Sequence, residues 1–201
     1  MIRVLIAEDQ GMVRGALAAL IALEPDLEVV ARVARGDAVV PAARQTQPDV
    51  ALVDIEMPGM DGLAAAEELR QALPSCKVLI LTTFGRPGYV HRAMKAGAAG
   101  FLAKDGPSED LASAVRRVYA GELVVDPVLA ASALRHGESP LSAREREVLE
   151  AAVDGSTVAD IARRLGLSEG TARNYLSAAI RKMNAPNRVT AAETARRQGW
   201  L

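Results

Sequence analysis

Along residues 1–120, short apolar runs alternate with longer stretches in which apolar residues recur every three or four positions. Ile2–Ala7, Glu28–Ala34, Val50–Asp54, Lys77–Thr82 and Ala99–Leu102 are short and rich in Val, Ile or Leu, as strands buried on both faces of a parallel sheet are. Between them, Met12, Ala16, Leu17, Leu20 and Leu23 form one helical stripe, and Leu63, Ala66, Leu69 and Leu73 form another. Ser108 followed by Glu109 and Asp110 predicts a helix start, with acids near the positive end of its dipole. Gly97 and Gly121 suit the ends of their helices. Five strands alternating with five helices predict an α/β fold with a parallel sheet, spanning residues 1–121.

The pattern changes after Gly121. Residues 122–139 show no strand period and carry Pro127 and Gly137, which predicts a linker with one short helix. From residue 140 to 201 every segment reads as helical, giving a small all-α domain of four helices. Ser142-Ala-Arg-Glu145 is a capping box ahead of a helix reaching about Val153. Val158–Leu165 is a second helix, broken by Gly166, and Ser168 caps a third that extends to about Met183. A fourth runs from about Val189 to Gln198.

Composition narrows the class. Half of the 201 residues are apolar and 24% are charged, too apolar for a disordered chain. No uninterrupted apolar run approaches the ~18–20 residues that span a bilayer, and Met1–Ala7 runs straight into Glu8 and Asp9 rather than opening a signal segment. Cys76 is the only cysteine, which excludes an internal disulfide and argues against a Cys-based zinc site. A cytoplasmic protein without membrane insertion is expected. Divided by region, residues 1–136 hold 14 Lys+Arg against 17 Asp+Glu, whereas residues 171–201 hold 6 against 1. An acidic front and a basic tail suggest a polyanionic partner for the tail.

The candidate chemistry lies at the strand ends. Glu8 and Asp9 end the first strand, Asp54 the third and Thr82 the fourth, while Lys104 follows the fifth. In a parallel sheet these ends share one edge, where open α/β sheets bind ligands. Carboxylates ~5 Å apart repel by several kcal/mol per pair at an effective dielectric of ~20. One Lys does not balance them, and an oxygen-only donor set favours a hard cation such as Mg²⁺. Asp54 would then serve as a nucleophile toward phosphorus, with Thr82 and Lys104 on the phosphoryl oxygens.

Glu8-Asp9, Asp54, Met57-Pro58-Gly59, Thr82 and Lys104-Asp105 stand in the order and spacing of a bacterial two-component receiver domain, which residues 1–121 resemble throughout. The resemblance implies a doubly wound five-stranded sheet of order 2-1-3-4-5, phosphorylated on Asp54 by a sensor histidine kinase. It also implies Mg²⁺ held by Asp9, Asp54 and the backbone carbonyl of Glu56, with Glu8 acting through water. Phe101, three residues before Lys104, matches the aromatic switch position beside Thr82, although a core aromatic would read the same way.

In the tail, Val158–Leu165, the Gly166 turn and Thr171–Lys182 have the layout of a helix-turn-helix. Ala172, Leu176, Ala179 and Ile180 are expected to face inward, and Arg173, Asn174, Ser177 and Arg181 outward. Arg suits guanine edges, Asn suits adenine, and Ser serves bases or phosphates. Leu141-Ser142-x-Arg144-Glu145-x-Glu147-Val148-Leu149, Gly155, Ile161-Ala162-x-x-Leu165, Ser168-x-x-Thr171 and Asn187-Arg188 resemble the LuxR-type DNA-binding domain. That resemblance maps base contact onto Arg173, Asn174 and Ser177, with Thr171 and Lys182 nearer the phosphates of double-stranded promoter DNA. Ala172 and Tyr175 depart from the family's usual Val and His, which bears on sequence preference rather than fold.

Together the two resemblances imply a response regulator of the NarL (LuxR-like) class, a phosphorylation-switched transcription factor rather than an enzyme. A finer resemblance, carried by Ala7-Glu-Asp-Gln10, Asp54-Ile-Glu-Met-Pro-Gly59, Leu81-Thr-Thr-Phe84, Arg86-Pro-Gly-Tyr89 and Asn174-Tyr175, is to the DesR-type subgroup, which controls a membrane-lipid desaturase. One short recognition helix reads few base pairs, so activation through a homodimer is expected. Val189, Ala192, Ala195 and Arg196 on the last helix, with Trp200 beyond, are candidates for the contact between DNA-binding domains. Two alternatives stay open. A phosphohydrolase of the haloacid dehalogenase class also uses Asp and Mg²⁺, but needs Asp-x-Asp after its first strand, whereas Asp54-Ile55-Glu56 follows the third. An atypical regulator that never takes phosphate would need none of the acidic pair, Thr82 or Lys104.

Overall fold

The computed structural model describes residues 1–83, 86–136 and 139–201, apart from the side chains of Pro87 and His136. Phe84, in the finer resemblance, and Gly137, in the linker reading, lie outside the described residues. The chain forms two compact units, one of Met1–Gly85 with Val90–Ala131 and one of Ser132–Leu201 with Arg86–Tyr89. Among the described residues, no helix is long and apolar enough to cross a membrane.

The first unit is a parallel sheet flanked by helices. Its strands are β1 (Ile2–Ala7), β2 (Leu27–Val33), β3 (Val50–Asp54), β4 (Lys77–Thr82), β5 (Gly100–Ala103) and β6 (Val124–Val125), in spatial order β2-β1-β3-β4-β5-β6. Its helices are α1 (Gly11–Ala22), α2 (Val39–Thr46), α3 (Gly62–Ala72) and α5 (Ser108–Tyr119), while α4 (Pro87–Lys95) and α6 (Pro127–His136) each have residues in both units. Alternation along the strands sends side chains to both faces. Val4 and Ile6 of β1, Val50 and Leu52 of β3, and Leu79 and Leu81 of β4 join Ile21 of α1 and Leu111, Val115 and Val118 of α5 in one core. Leu5, Ala51, Val53, Val78 and Ile80, the alternate positions, are equally buried on the opposite side. Every residue of β3 is buried, which is why its sequence is continuously apolar until Asp54. Arg116 of α5 also reaches the turn between α1 and β2, where it pairs with Glu24 and Asp26; the guanidinium bond holds the Asp26 carboxyl down at about 2.

The sequence-based strand order is right for five strands and omits the sixth. Residues 122–139, read as linker, contain β6, whose Val124 amide donates to the Ala99 carbonyl at 3.1 Å and whose neighbour Asp126 donates to Phe101 at 3.0 Å. Two residues are too few to show a period. The single helix expected there is α6, started by Asp126, whose carboxylate accepts from the Val128 and Leu129 amides, with Pro127 at the first helical position. Ser108 is the first residue of α5 and not its cap, which is Pro107 with no side-chain bond.

Gly62 is the tightest backbone approach near the end of β3. A Cβ there would lie 1.8 Å from the Asp54 carbonyl oxygen and 3.0 Å from the Ile55 Cα. Gly62→Ala therefore forces α3 away from β3, and is expected to lower unfolding stability by about 3 kcal/mol, the upper range for overpacking. Urea unfolding of the variant beside the wild type measures it.

The second unit is helical: α7 (Ala143–Ala151), α8 (Val158–Leu165), α9 (Glu169–Lys182) and α10 (Arg188–Arg197). Each begins at a side-chain cap, namely Ser142, Thr157, Ser168 and Asn187, accepting from an amide three residues on. Their core is built from Val148, Leu149, Ile161, Leu176 and Ala191 with small residues between.

Candidate functional site

The carboxyl ends of β1, β3 and β4 and the residue after β5 converge as the parallel topology requires. Glu8, Asp9 and Asp54 each offer a carboxylate oxygen within 4.8 Å of the others. Glu8 and Asp54 are buried, whereas Asp9 is exposed. The Lys104 ammonium, on a side chain 7% exposed, lies 2.6 Å from Glu8 Oε2 and 2.9 Å from Asp54 Oδ1. Asp54 Oδ1 also accepts from the Ile55 amide at 2.8 Å, and Glu8 Oε1 from the Gln10 amide at 3.1 Å. Thr82 is buried at the end of β4, and its carbonyl accepts from the Lys104 amide at 2.8 Å.

Burial pushes the Glu8 and Asp54 carboxyls above their ordinary range, opposed chiefly by the Lys104 bond. Three carboxylates against one ammonium leave a net charge of −2 when all are ionised. The donors are all oxygens, one of them exposed, so the set fits a hard divalent cation that keeps part of its water. Glu56 is exposed two residues beyond Asp54. Phe101 is fully buried in β5, paired in register with Ile80 and Val125.

In the helical unit, α8 and α9 are joined through Gly166, at φ 65°, and the Ser168 cap. Ala172, Leu176 and Ala179 are buried, while Arg173, Asn174, Ser177 and Arg181 are exposed. Ile180, expected to face inward, is half-buried, as is Thr171, whose hydroxyl lies 2.8 Å from that of Ser168. Arg173 stands beside Glu169, one turn earlier, at 4.0 Å. One helix face thus presents guanidinium, carboxamide and hydroxyl groups together, a set suited to base edges.

Residues 4–116 match the response regulator receiver domain, and residues 139–195 match the bacterial regulatory proteins of the luxR family. This chain is a response regulator. It is 47% identical to the transcriptional regulatory protein DesR of Bacillus subtilis (strain 168) over the whole of both chains. To YvfU of the same organism, described as an uncharacterized transcriptional regulatory protein, it is 48% identical, again over the whole of both. The crystal structure of the response regulator ChrA, from a heme-sensing two-component system, is 32% identical with a TM-score of 0.60, covering 100% of this chain and 98% of that one. As a response regulator it joins a receiver to a LuxR-type DNA-binding domain and is a transcriptional regulator, not an enzyme.

Within this response regulator, three features escape a reading of the sequence. Arg14 turns back from α1 so that its Nη1 donates to the Glu8 carbonyl at 2.6 Å and the Asp9 carbonyl at 3.2 Å. Arg188 similarly donates to the Ser156 and Gly155 carbonyls, tying α10 to the turn before α8. Lys182 lies 2.7 Å from Glu145 Oε2, the same oxygen that accepts from the Ser142 amide in the capping box. The capping box is legible in the sequence, but its anion's second partner, 37 residues away, is not. On α10, Ala192 and Ala195 are buried in their own core and only Val189 of the apolar candidates is exposed, which removes those two alanines from any surface contact.

Lys182→Ala would strip the charged partner from Glu145, whose side chain is 8% exposed. Breaking a buried ion pair costs ~3–5 kcal/mol, but Lys182 is itself 41% exposed, so solvent screening brings the expected loss to about 1–2 kcal/mol. Urea unfolding reads this directly. A fall of ~1 in the salt slope of DNA binding, with unchanged stability, would instead assign Lys182 to a phosphate.

Proposed function

We propose that this regulator is switched by phosphoryl transfer to Asp54 from a sensor histidine kinase, and that the phosphorylated form dimerises on double-stranded promoter DNA. The observation that carries the reading is the trio Glu8, Asp9 and Asp54 within 4.8 Å, with Lys104 bridging two of them, on the same chain as the exposed face of α9. Asp9, Asp54 and the Glu56 carbonyl, with Glu8 through water, would hold Mg²⁺, which when bound supplies positive charge against the carboxylates and the phosphoryl oxygens.

Asp54 Oδ1 is engaged by Ile55 and Lys104, which leaves Oδ2 to bond phosphorus. As that bond forms, the nitrogen–phosphorus bond of the kinase's phosphohistidine breaks and the imidazole keeps the electron pair. Lys104 then exchanges Asp54 for a phosphoryl oxygen, and the Thr82 hydroxyl binds another. Drawing Thr82 toward the phosphate changes the packing beside Phe101, whose complete burial on β5, the strand next to β4, makes it sensitive to such a change. A phosphoryl group shifts the equilibrium only by its differential affinity for the two states. On DNA, Arg173, Asn174 and Ser177 take the base edges, and Thr171 lies nearer the backbone. The domain division proposed is 1–121 receiver, with β6 of the following segment 122–139 completing its sheet, and 140–201 DNA-binding. The protein would act in the cytoplasm, where the chromosome lies. Membrane-lipid desaturase genes, implied as targets by the DesR-type resemblance, are the promoters to try first, and genome-wide recovery of bound DNA with and without phosphodonor reads the target set.

Sedimentation of the full chain with Mg²⁺ and a small phosphodonor tests the switch. The wild type is expected to move from monomer toward dimer with at least a ~10-fold gain in dimer affinity, about 1.4 kcal/mol, and Asp54→Asn is expected not to respond. A monomer in every condition, including on a duplex with two half-sites, defeats the dimer mechanism.

A further inference from the structure

β1 leaves the sheet ladder at Ala7, and the next two residues carry two of the three site carboxylates. Glu8 is held at several points: its amide donates to the Val33 carbonyl at 3.0 Å, and its carboxylate accepts from Gln10 and Lys104. Asp9 is exposed. The helix that follows begins without a side-chain cap, since Gln10 makes no capping bond, and its first turn carries no acid. What reaches back from that turn is Arg14, half-buried, with one guanidinium nitrogen on both the Glu8 and Asp9 carbonyls.

We propose that Arg14 is a positioning residue for the acidic site: by clamping the Glu8 and Asp9 carbonyls it sets where the Asp9 carboxylate stands relative to Asp54, and so how tightly the site holds a divalent cation. The proposal rests on the phosphoacceptor reading above. A guanidinium is suited to the task because its donors are fixed in a plane and it is always charged. Charge-assisted bonds to the carbonyls are also about twice as strong as neutral ones. Residues that orient ligands in this way typically change metal affinity 10–100-fold when removed.

Two effects of removing Arg14 oppose each other. Its positive charge repels a bound cation, so charge alone makes Arg14→Ala bind Mg²⁺ more tightly. Loss of the clamp lets residues 8–9 sample other arrangements, so positioning makes it bind more weakly. The sign of the change therefore separates the two.

Mg²⁺ alone is titrated into full-length wild type, Arg14→Ala and Arg14→Lys by calorimetry, with thermal melting in the absence of metal as the measure of folding. Arg14→Ala is expected to bind Mg²⁺ at least ~10-fold more weakly while still melting cooperatively, and Arg14→Lys, which retains one charged donor, is expected to recover part of the affinity. Should Arg14→Ala fail to fold, Arg14→Lys alone carries the test, with an intermediate affinity expected. Wild-type affinity or tighter in the folded variant overturns the proposal and leaves the site reading intact. A wild type that takes no Mg²⁺ overturns both.

Discussion

Asp54→Asn takes up no phosphoryl group in the presence of Mg²⁺ and a small phosphodonor, whereas the wild-type chain gains one. The carboxamide has the shape of the carboxylate, and its oxygen can still accept from the Ile55 amide that Oδ1 now engages at 2.8 Å. What disappears is the negative oxygen that bonds phosphorus, together with one of the three charges gathered within 4.8 Å. Loss of a nucleophile removes the transfer rather than slowing it by a modest factor, so the effect is all-or-none in the mass spectrum of the intact protein. Because Lys104 lies between Glu8 and Asp54, the variant also replaces an ion pair by a neutral contact while Glu8 still neutralises the ammonium. Folding is therefore expected to survive, and cooperative melting checks it. An equal mass gain in both proteins would move the phosphoacceptor to another residue.

The second large effect concerns recognition of DNA. Arg173→Ala and Asn174→Ala each remove an exposed group from one face of α9 without touching the buried Ala172, Leu176 and Ala179 that anchor it. Removing one bidentate pair of hydrogen bonds to a base is expected to lower discrimination by ~1–3 kcal/mol. For the double variant the expected decrease is ~2–6 kcal/mol if the two effects add. The decrease appears in the ratio of affinities for operator and scrambled duplexes, because phosphate pairing contributes to both alike. Arg173 currently sits near Glu169 at 4.0 Å, with both side chains more than half exposed, and a surface pair of that kind contributes little. It is therefore available to a guanine edge. An unchanged ratio in Arg173→Ala would take α9 out of the major groove.

Much of the fold was written locally. β1, β3 and β4 end where the apolar runs end, because a strand buried on both faces tolerates no polar residue until it emerges at the sheet edge. β2 and β5 each differ by one residue from the pattern, since hydrogen-bond register, pairing Ile2 with Leu27 and Thr82 with Ala103, fixes their limits. The helices of the second unit start within a residue of their expected positions, because each cap is a Ser, Thr or Asn bonding an amide only three residues away. Convergence of Glu8, Asp9, Asp54 and Lys104 followed from topology alone, as parallel strands deliver all their carboxyl ends to one edge.

Residue order by itself therefore determined the two-part architecture, the acidic edge and the face that α9 presents, because periodicity, caps and strand direction are short-range properties. Tertiary structure alone decided β6, whose two residues acquire meaning only beside β5. It also decided the partners of the long cations: Arg14 on the Glu8 and Asp9 carbonyls, Arg188 on the Ser156 and Gly155 carbonyls, and Lys182 on Glu145. A Lys or Arg side chain has several rotatable bonds and no preferred partner in the sequence. Which anion or carbonyl it meets depends on the distance between backbone segments that only the packed core sets.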